Sequence, residues 1–182
     1  RVRSSAASDV YKRQELLGDI LLPLLRMQTN FWKQLCTPEY FTDTDGNACY
    51  LKGKKSLNDG EKYLIIPSYS PENHPKGYES TITANAAMDI SAARDGLRMN
   101  IEVEKILKFE GYEDRISEIQ NFEKLLPDYK FDDSGALCEW SMKGYEENNV
   151  HRHISHLYCA WPAYETQHSK VLTDACNQAI EN

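Results

Sequence analysis

The segment 83–108 constrains the fold of this chain most strongly, because its apolar residues follow the repeat of an α-helix. One stripe recurs at intervals of three or four residues, in a segment without proline and with a single glycine: Ala86, Ile90, Ala93, Leu97 and Ile101. Val103, Ile106 and Leu107 extend the segment, and Gly111 is predicted to end the helix. A helix of this kind needs other elements to cover its apolar side.

Three further segments carry the same helical repeat. Residues 23–36 begin with a proline, which suits a first turn, and residues 113–126 are stopped by Pro127. A last helix runs through Val171, Leu172, Ala175, Cys176 and Ile180. The long stretch 37–78 is rich in turn residues and has one strand-like run, Tyr63-Leu64-Ile65-Ile66. We therefore predict an all-α fold, a toroid whose long polar loops carry the site at one end.

Residues 1–14 do not read as part of a domain. They lack an apolar repeat and are similar to an adaptor used in DNA library construction, so we leave them out of the fold; the alternative is a genuine basic arm. They carry four basic residues and one acidic residue, so residues 15–182 hold a net charge of −10, against −7 for the whole chain. This acidic balance argues against a nucleic-acid partner.

Hydropathy and cysteine spacing argue against two further classes of protein. No apolar run approaches the roughly 18 residues that a membrane-spanning helix needs. The cysteines are odd in number and share no metal-ligand spacing, which predicts mostly free, buried thiols: Cys36, Cys49, Cys138, Cys159 and Cys176. The length suits one domain, or a piece of a larger one.

Residues 150–158 concentrate three of the five histidines and an arginine within six positions. If the segment is extended, His151, His153 and Ser155 share one face, and Arg152 lies on the other. Imidazoles and a guanidinium offer angled donors to sugar hydroxyls, and the guanidinium can also hold a carboxylate. Two alternatives stay open: a zinc site built on the histidines, and a core role for His156 alone.

The segment 67–73 offers a carboxylate on a loop stiffened by two prolines. Glu72 follows Pro71 and precedes Asn73, whose amide can orient a carboxyl group, while Tyr69 can supply an apolar wall. Cleavage of a glycosidic bond needs a carboxylic acid that protonates the leaving oxygen, with its pKa raised to about 6–7 by its surroundings. Glu72 is thus the candidate acid, and the alternative is a surface glutamate beside a turn.

Glu139 and Trp140 form a second candidate pair, with an acid next to a large aromatic ring. Such a pair suits one face of a sugar, where the ring stacks and the acid accepts a hydrogen bond at its rim. The alternative places Trp140 in the core and pairs Glu139 with Arg152. On residue types alone the two interpretations are equal.

The motifs named above occur together, in the order seen in glycoside hydrolase family 95: Ser70-Pro71-Glu72-Asn73, Ala87-Met88-Asp89, Arg94-Asp95, Gly135-Ala136-Leu137-Cys138-Glu139-Trp140 and His151-Arg152-His153-Ile154-Ser155-His156-Leu157-Tyr158. The chain thus resembles the family of 1,2-α-L-fucosidases and related α-L-galactosidases. The resemblance implies that residues 15–182 are an interior part of an (α/α)6 barrel, with Glu72 as the general acid. Cys159-Ala160-Trp161 departs from the glycine and different aromatic of many members.

The sequence and the resemblance together predict a fragment of an inverting exo-glycosidase that removes terminal α-L-fucose or α-L-galactose. The expected sugar-binding residues are Asn73, Glu139, Trp140, His151, Arg152, His153 and His156, with no metal or cofactor. The family's water-handling residues have no counterpart here, so the chain alone is expected to be inactive. The resemblance implies an extracellular or periplasmic enzyme, and the oligomeric state is left open. The alternatives are a non-catalytic carbohydrate-binding helical module and a zinc-dependent hydrolase.

Overall fold

The structure is a computed structural model that describes residues 13–149 and 151–181. Most of the predicted adaptor segment, residues 1–12, therefore lies outside the described residues. The chain divides into two compact units. Residues 13–33 and Gly96–Lys124 form the first unit, and Gln34–Asp95 and 125–181 form the second.

The first unit is helical. A π-helical segment, Leu16–Leu21, leads directly into helix α1, Leu22–Leu35, as the repeat over 23–36 predicts. The C-terminal part of α2, Ala87–Leu107, and helix α3, Tyr112–Glu123, complete it. Its core joins buried residues of α1 and α2, namely Leu22, Leu25 and Val103.

The end of α2 differs from the prediction. The helix stops at Leu107, four residues before Gly111, because Lys108 adopts a left-handed backbone with φ 51°. Gly111, with φ 72°, instead precedes the first turn of α3. A left-handed residue directly after a helix is a common terminator, and glycine is only its most frequent type.

The second unit contains two small sheets, where the sequence predicts an all-α fold with an irregular strand or two in its long loops. Strands β1, Tyr40–Thr42, β2, Ala48–Tyr50, and β3, Lys62–Tyr63, form an antiparallel sheet in the order β2-β1-β3. Strands β4, Ser68–Tyr69, and β5, Ile82–Thr83, pair antiparallel. Of the strand-like run, only Tyr63 belongs to a strand, while Leu64 and Ile65 are buried beyond it. The chain is therefore helix-rich with small sheets, and the toroid stays a prediction.

The core of the second unit anchors the segment that follows the histidines. A short 3-10 helix, Ser155–Cys159, and helix α4, Lys170–Glu181, share one apolar cluster: Leu137, Leu157, Cys159, Leu172, Ala175 and Cys176. The five residues of the predicted apolar stripe, from Ala86 to Ile101, are all buried. A second 3-10 helix, Glu165–His168, precedes α4.

Two predictions about residue classes can be compared with this fold. Among the described residues, none of the helices has both the length and the hydropathy to cross a membrane. Four of the five cysteines are buried and Cys49 is half-buried. The sulfur atoms of Cys159 and Cys176 lie 3.5 Å apart in the core of the second unit.

Candidate active site

Glu72 lies at the third position of a four-residue turn. The amide of Asn73 donates to the carbonyl of Ser70 at 3.2 Å, which closes the turn. Pro71 fills the second position, where its restricted φ favours a type II turn. Such a turn needs a positive φ at the third position, and Glu72 has φ 59°. This conformation usually falls to glycine or asparagine, so the glutamate is held in a strained backbone.

Strand β4, which leads into the turn, is tied to the first turn of α2. The Asp89 carboxylate accepts hydrogen bonds from the Ser68 hydroxyl at 2.6 Å and from the Tyr69 amide at 3.0 Å. The Ser68 hydroxyl also accepts from the amide of Ala86 at 2.8 Å. Asp89 therefore holds the strand that leads into the turn.

The Glu72 carboxylate faces two residues of the histidine cluster. Arg152 forms an ion pair with Oε2, and the Nε2 atom of His153 lies 3.3 Å from the same oxygen. The side chain of Glu72 remains 53% exposed. The structure thus brings together the predicted acid and two of the predicted sugar-binding residues, although about 80 positions separate them in sequence.

The side chains of His153 and Arg152 set the protonation of Glu72. The hydrogen bond from His153 and, next, the positive charge of Arg152 hold the pKa of the Glu72 carboxyl below its ordinary value, against a smaller effect of burial. Glu72 is therefore ionised at neutral pH in this geometry. The raised pKa expected of a general acid is not a property of the site without a bound sugar.

Glu139 is buried beneath the same turn. Its carboxylate accepts from the Ser70 hydroxyl and from the Asn73 side-chain amide, the latter at 2.6 Å. Burial raises the pKa of Glu139, and these two hydrogen bonds act against the rise. With only 3% of its surface exposed, Glu139 contacts the loop rather than a sugar, which corrects its predicted rim position. Asn73 is equally buried and supports the turn.

The predicted stacking of Trp140 on a sugar does not fit the structure. Its side chain is 0% exposed, and the indole N–H donates to the Thr83 hydroxyl at 3.1 Å. A ring without solvent access cannot cover a sugar face. Trp140 is a core residue, the alternative that its residue type allowed.

The described histidines occupy different environments. His151 and His153 are half-buried, with ring centroids 5.2 Å apart, and the His153 amide donates to Nδ1 of His151 at 3.2 Å. Exposure alternates along the segment as an extended chain predicts, with Arg152 largely exposed. Arg152 and His153 nevertheless reach the same carboxylate, so the two faces are not separate in function. Val150 lies outside the described residues.

His156 lies deeper than the other two. Burial lowers the pKa of its imidazole to about 4, so the ring is neutral, and its buried Nδ1 has no hydrogen-bond partner among the described residues. It lines a cavity of about 60 Å³ together with Glu139, Glu147, His151 and His153. A cavity of this size holds only a few water molecules.

Glu147 belongs to the same hydrogen-bond network as Glu139. Its carboxylate accepts the backbone N–H of Glu139 at 2.7 Å, and burial, foremost, raises its pKa. Beside it, Asn148 donates to the side-chain oxygen of Asn73 at 3.2 Å. The pair of amides Asn148-Asn149 after two glutamates was the only local signal of this network.

The zinc alternative requires three ligands that lie together. Across residues 13–149 and 151–181, no three His, Cys, Asp or Glu side chains are arranged to hold a metal ion. The geometry instead joins one open carboxylate to an imidazole and a guanidinium, a set suited to protons and hydroxyl groups.

Comparison with known proteins identifies the family of this chain. The model of the glycosyl hydrolase family 95 catalytic domain matches residues 14–182. No curated protein matches the chain at a significant level. Since the matched region covers almost the whole sequence, the chain belongs to glycosyl hydrolase family 95, a family of glycosidases that act on glycans.

Proposed function

We propose that this protein is an inverting exo-glycosidase that removes terminal α-L-fucose, or α-L-galactose, from glycans, with Glu72 as the proton donor. The observation that carries the proposal is the convergence of the Glu72 carboxylate with Arg152 and His153. One side of the site can transfer a proton, and the other can donate hydrogen bonds to sugar hydroxyls. The strained φ of Glu72 adds support, because such strain is concentrated at functional sites.

Each residue has a separate role in this proposal. Glu72 protonates the leaving oxygen, while Arg152, His153 and His151 donate hydrogen bonds to the hydroxyls of the departing sugar. Asn73 and Glu139 hold the turn. An inverting reaction also needs a second group that activates water on the opposite face, about 6.5–9.5 Å from the acid. By the family resemblance, that group has no counterpart among these residues, so we propose the activity for a protein that contains both groups.

The sugar itself must bring Glu72 into its acidic form. When hydroxyls take the donors of Arg152 and His153, the carboxylate loses the two interactions that lower its pKa. A ring seated above the turn also removes water from a side chain that is half exposed, which raises the pKa further. We expect the alkaline limb of kcat/KM to report the lowered pKa of Glu72 in the free enzyme, and the alkaline limb of kcat to report a higher pKa in the complex.

Glu72→Gln in the intact protein tests the role of the acid. We expect turnover of a 2′-fucosylated oligosaccharide to fall about 10²–10⁴-fold, because a carboxamide cannot donate the proton. Glu79→Gln, a change at an exposed glutamate on the same stretch of chain, is the matched control and should keep full turnover. Sugar release is measured by chromatography, and unchanged release from the Glu72 variant would remove it from the acid role.

A binding module without catalysis is the second candidate, and one observation favours it. An ionised Glu72 paired with Arg152 resembles a polar sugar-binding site as much as a catalytic one. The two candidates make different predictions. A binding module binds fucose, which calorimetry measures, and releases none from any substrate. Release of free fucose that depends on Glu72 decides for the enzyme.

A further inference from the structure

We infer that Glu139 is a positioning residue, whose buried carboxylate fixes the turn that carries Glu72. The inference rests on the proposed function of Glu72 as the acid. It assigns Glu139 an action through the protein, in place of the contact with sugar that its neighbour Trp140 suggested.

The carboxylate of Glu139 accepts hydrogen bonds from both ends of the turn. Ser70 and Asn73 are the first and last residues of the turn, and both donate side-chain hydrogen bonds to the carboxylate of Glu139. One carboxylate therefore holds both ends of a four-residue turn, with Glu72 between them. All three supporting side chains are buried, with at most 3% of their surface exposed. Water does not compete for these bonds, so they restrain the turn more strongly than exposed ones would.

The backbone of Glu72 is strained, with φ 59°. A left-handed backbone at a residue with a long side chain persists only where the surroundings determine it. The single backbone hydrogen bond from Asn73 to Ser70 is long, at 3.2 Å. The bonds to Glu139 add restraint at both ends of the turn, beside the bond from the Glu72 amide to the Tyr69 hydroxyl at 3.0 Å. A turn released from them is free to relax to a negative φ at Glu72, which would point the carboxylate away from Arg152 and His153.

The backbone of Glu139 is itself held by the first residue of α2. Its carbonyl accepts the amide of Ala87, the first residue of α2, at 2.9 Å. Its own amide donates to Glu147 at 2.7 Å. Glu139 therefore connects the turn that carries Glu72 to the start of α2, a helix of 21 residues. Sites supported by regular elements in this way keep a more accurate geometry than sites on unsupported loops.

The test compares two substrates that differ in their need for an acid. A fucosylated oligosaccharide has a poor leaving group that requires protonation, whereas α-L-fucosyl fluoride requires little. We expect Glu139→Ala in the intact protein to lower kcat on the oligosaccharide about 10²-fold, the usual cost of misplacing a catalytic group by about 1 Å. KM and turnover of the fluoride should change little. Glu139→Gln keeps an acceptor for Asn73 and should recover part of the loss.

Two controls separate positioning from folding. Ser70→Ala removes only one hydroxyl from the buried network and should give a smaller loss with the same preference for the fluoride. Glu146→Gln alters an exposed carboxylate close to the network and should leave both substrates unaffected. Equal losses on both substrates, in Glu139→Ala and in Ser70→Ala, would identify a merely structural residue and overturn the inference. So would full activity of both variants on the oligosaccharide.

A measurement independent of catalysis covers the case in which the proposed function fails. If the unaltered protein releases sugar from neither substrate, Glu72 is not an acid. Hydrogen exchange at the Asn73 amide then reports the turn itself. We expect exchange to be at least about tenfold faster in Glu139→Ala, while the amides of α4 keep their rates. An unchanged rate at Asn73 would show that Glu139 does not hold the turn.

Discussion

Glu104 in the first unit and Glu72 in the second each face two basic side chains, and they differ in what else can reach them. Glu104 is wholly buried on α2 and accepts four hydrogen bonds of 2.7–2.9 Å from Arg26 and Arg115. Glu72 lies on a strained turn, half exposed, beside Arg152 and His153. An ion pair alone therefore marks no site. Access and unused hydrogen-bonding capacity distinguish the carboxylate that can react from the one that holds helices together.

The pKa of both carboxyls is lowered, but from a different balance of causes. For Glu104, burial is the largest influence and would raise the pKa, and the hydrogen bonds from Arg115 and Arg26 together outweigh it. For Glu72, the hydrogen bond from His153 and the charge of Arg152 act with little opposition. The shift at Glu104 contributes to folding stability. The shift at Glu72 comes from partners that remain partly exposed to solvent.

Loss of the Glu104 carboxylate should have the largest effect on stability. Glu104→Ala leaves two arginines facing each other without a counter-charge, and we expect the free energy of unfolding to fall by about 2–4 kcal/mol. This loss is smaller than the roughly 3–5 kcal/mol for a fully buried pair. The reason is that the side chains of Arg26 and Arg115 are 41% and 31% exposed. Denaturant unfolding of the purified protein measures the loss. Glu72→Gln should leave the unfolding curve unchanged, since its partners are already solvated.

The same comparison has a pH dependence. A carboxyl whose folded pKa is lowered stabilises the fold above its unfolded value, here 4.5, and this stability is lost as the pH falls through the folded pKa. Glu104→Gln should therefore flatten the acid side of the stability profile below pH 4.5. Glu102→Gln, at the exposed partner of Lys105, is the control. A profile as steep as that of the unaltered protein would contradict a paired, ionised Glu104.

Removing the partners of Glu72 should have a smaller effect, confined to its titration. We expect His153→Leu to raise the pKa of the Glu72 carboxyl toward its ordinary value, and Arg152→Gln to raise it less, because His153 contributes the larger share. Carboxyl ¹³C NMR titration of the purified protein follows the group directly. Glu61, whose pKa is lowered chiefly by a hydrogen bond from Lys54, is an internal control that should not move.

The outcome that breaks the comparison is also defined. If Glu72 titrates alike in the unaltered protein and in both variants, its carboxylate is not held by the histidine cluster in solution. The site would then lack the contact on which the proposed function depends.

The sequence was informative where one local pattern decides the structure. The apolar stripe from Ala86 to Ile101 determined a buried helix, since its spacing has no other stable use. The meeting of Glu72 with Arg152 and His153 followed from motif order, not from spacing, because no local rule joins residues so far apart.

The remaining errors concern features that tertiary contacts decide. Strands of two or three residues carry too little alternation to be recognised, and they form because a partner strand is present. Trp140 suits a core and a sugar platform equally well, and only its burial separates the two. Glu139 was predicted at the rim of a sugar site and not in a buried network, because such a network becomes visible only when its members are placed together.

Added salt should give the smallest effect and the finest test of the comparison. At about 1 M salt the screening length falls to roughly 3 Å, so exposed charges interact weakly while buried pairs are little affected. The pKa of Glu72 should rise toward its ordinary value in ¹³C titrations at high salt, because Arg152 is 72% exposed. Glu104 has no exposed surface and should keep its lowered pKa. If both carboxyls responded equally, exposure would not separate the two clusters, and the case for Glu72 as the accessible group would lose its physical basis.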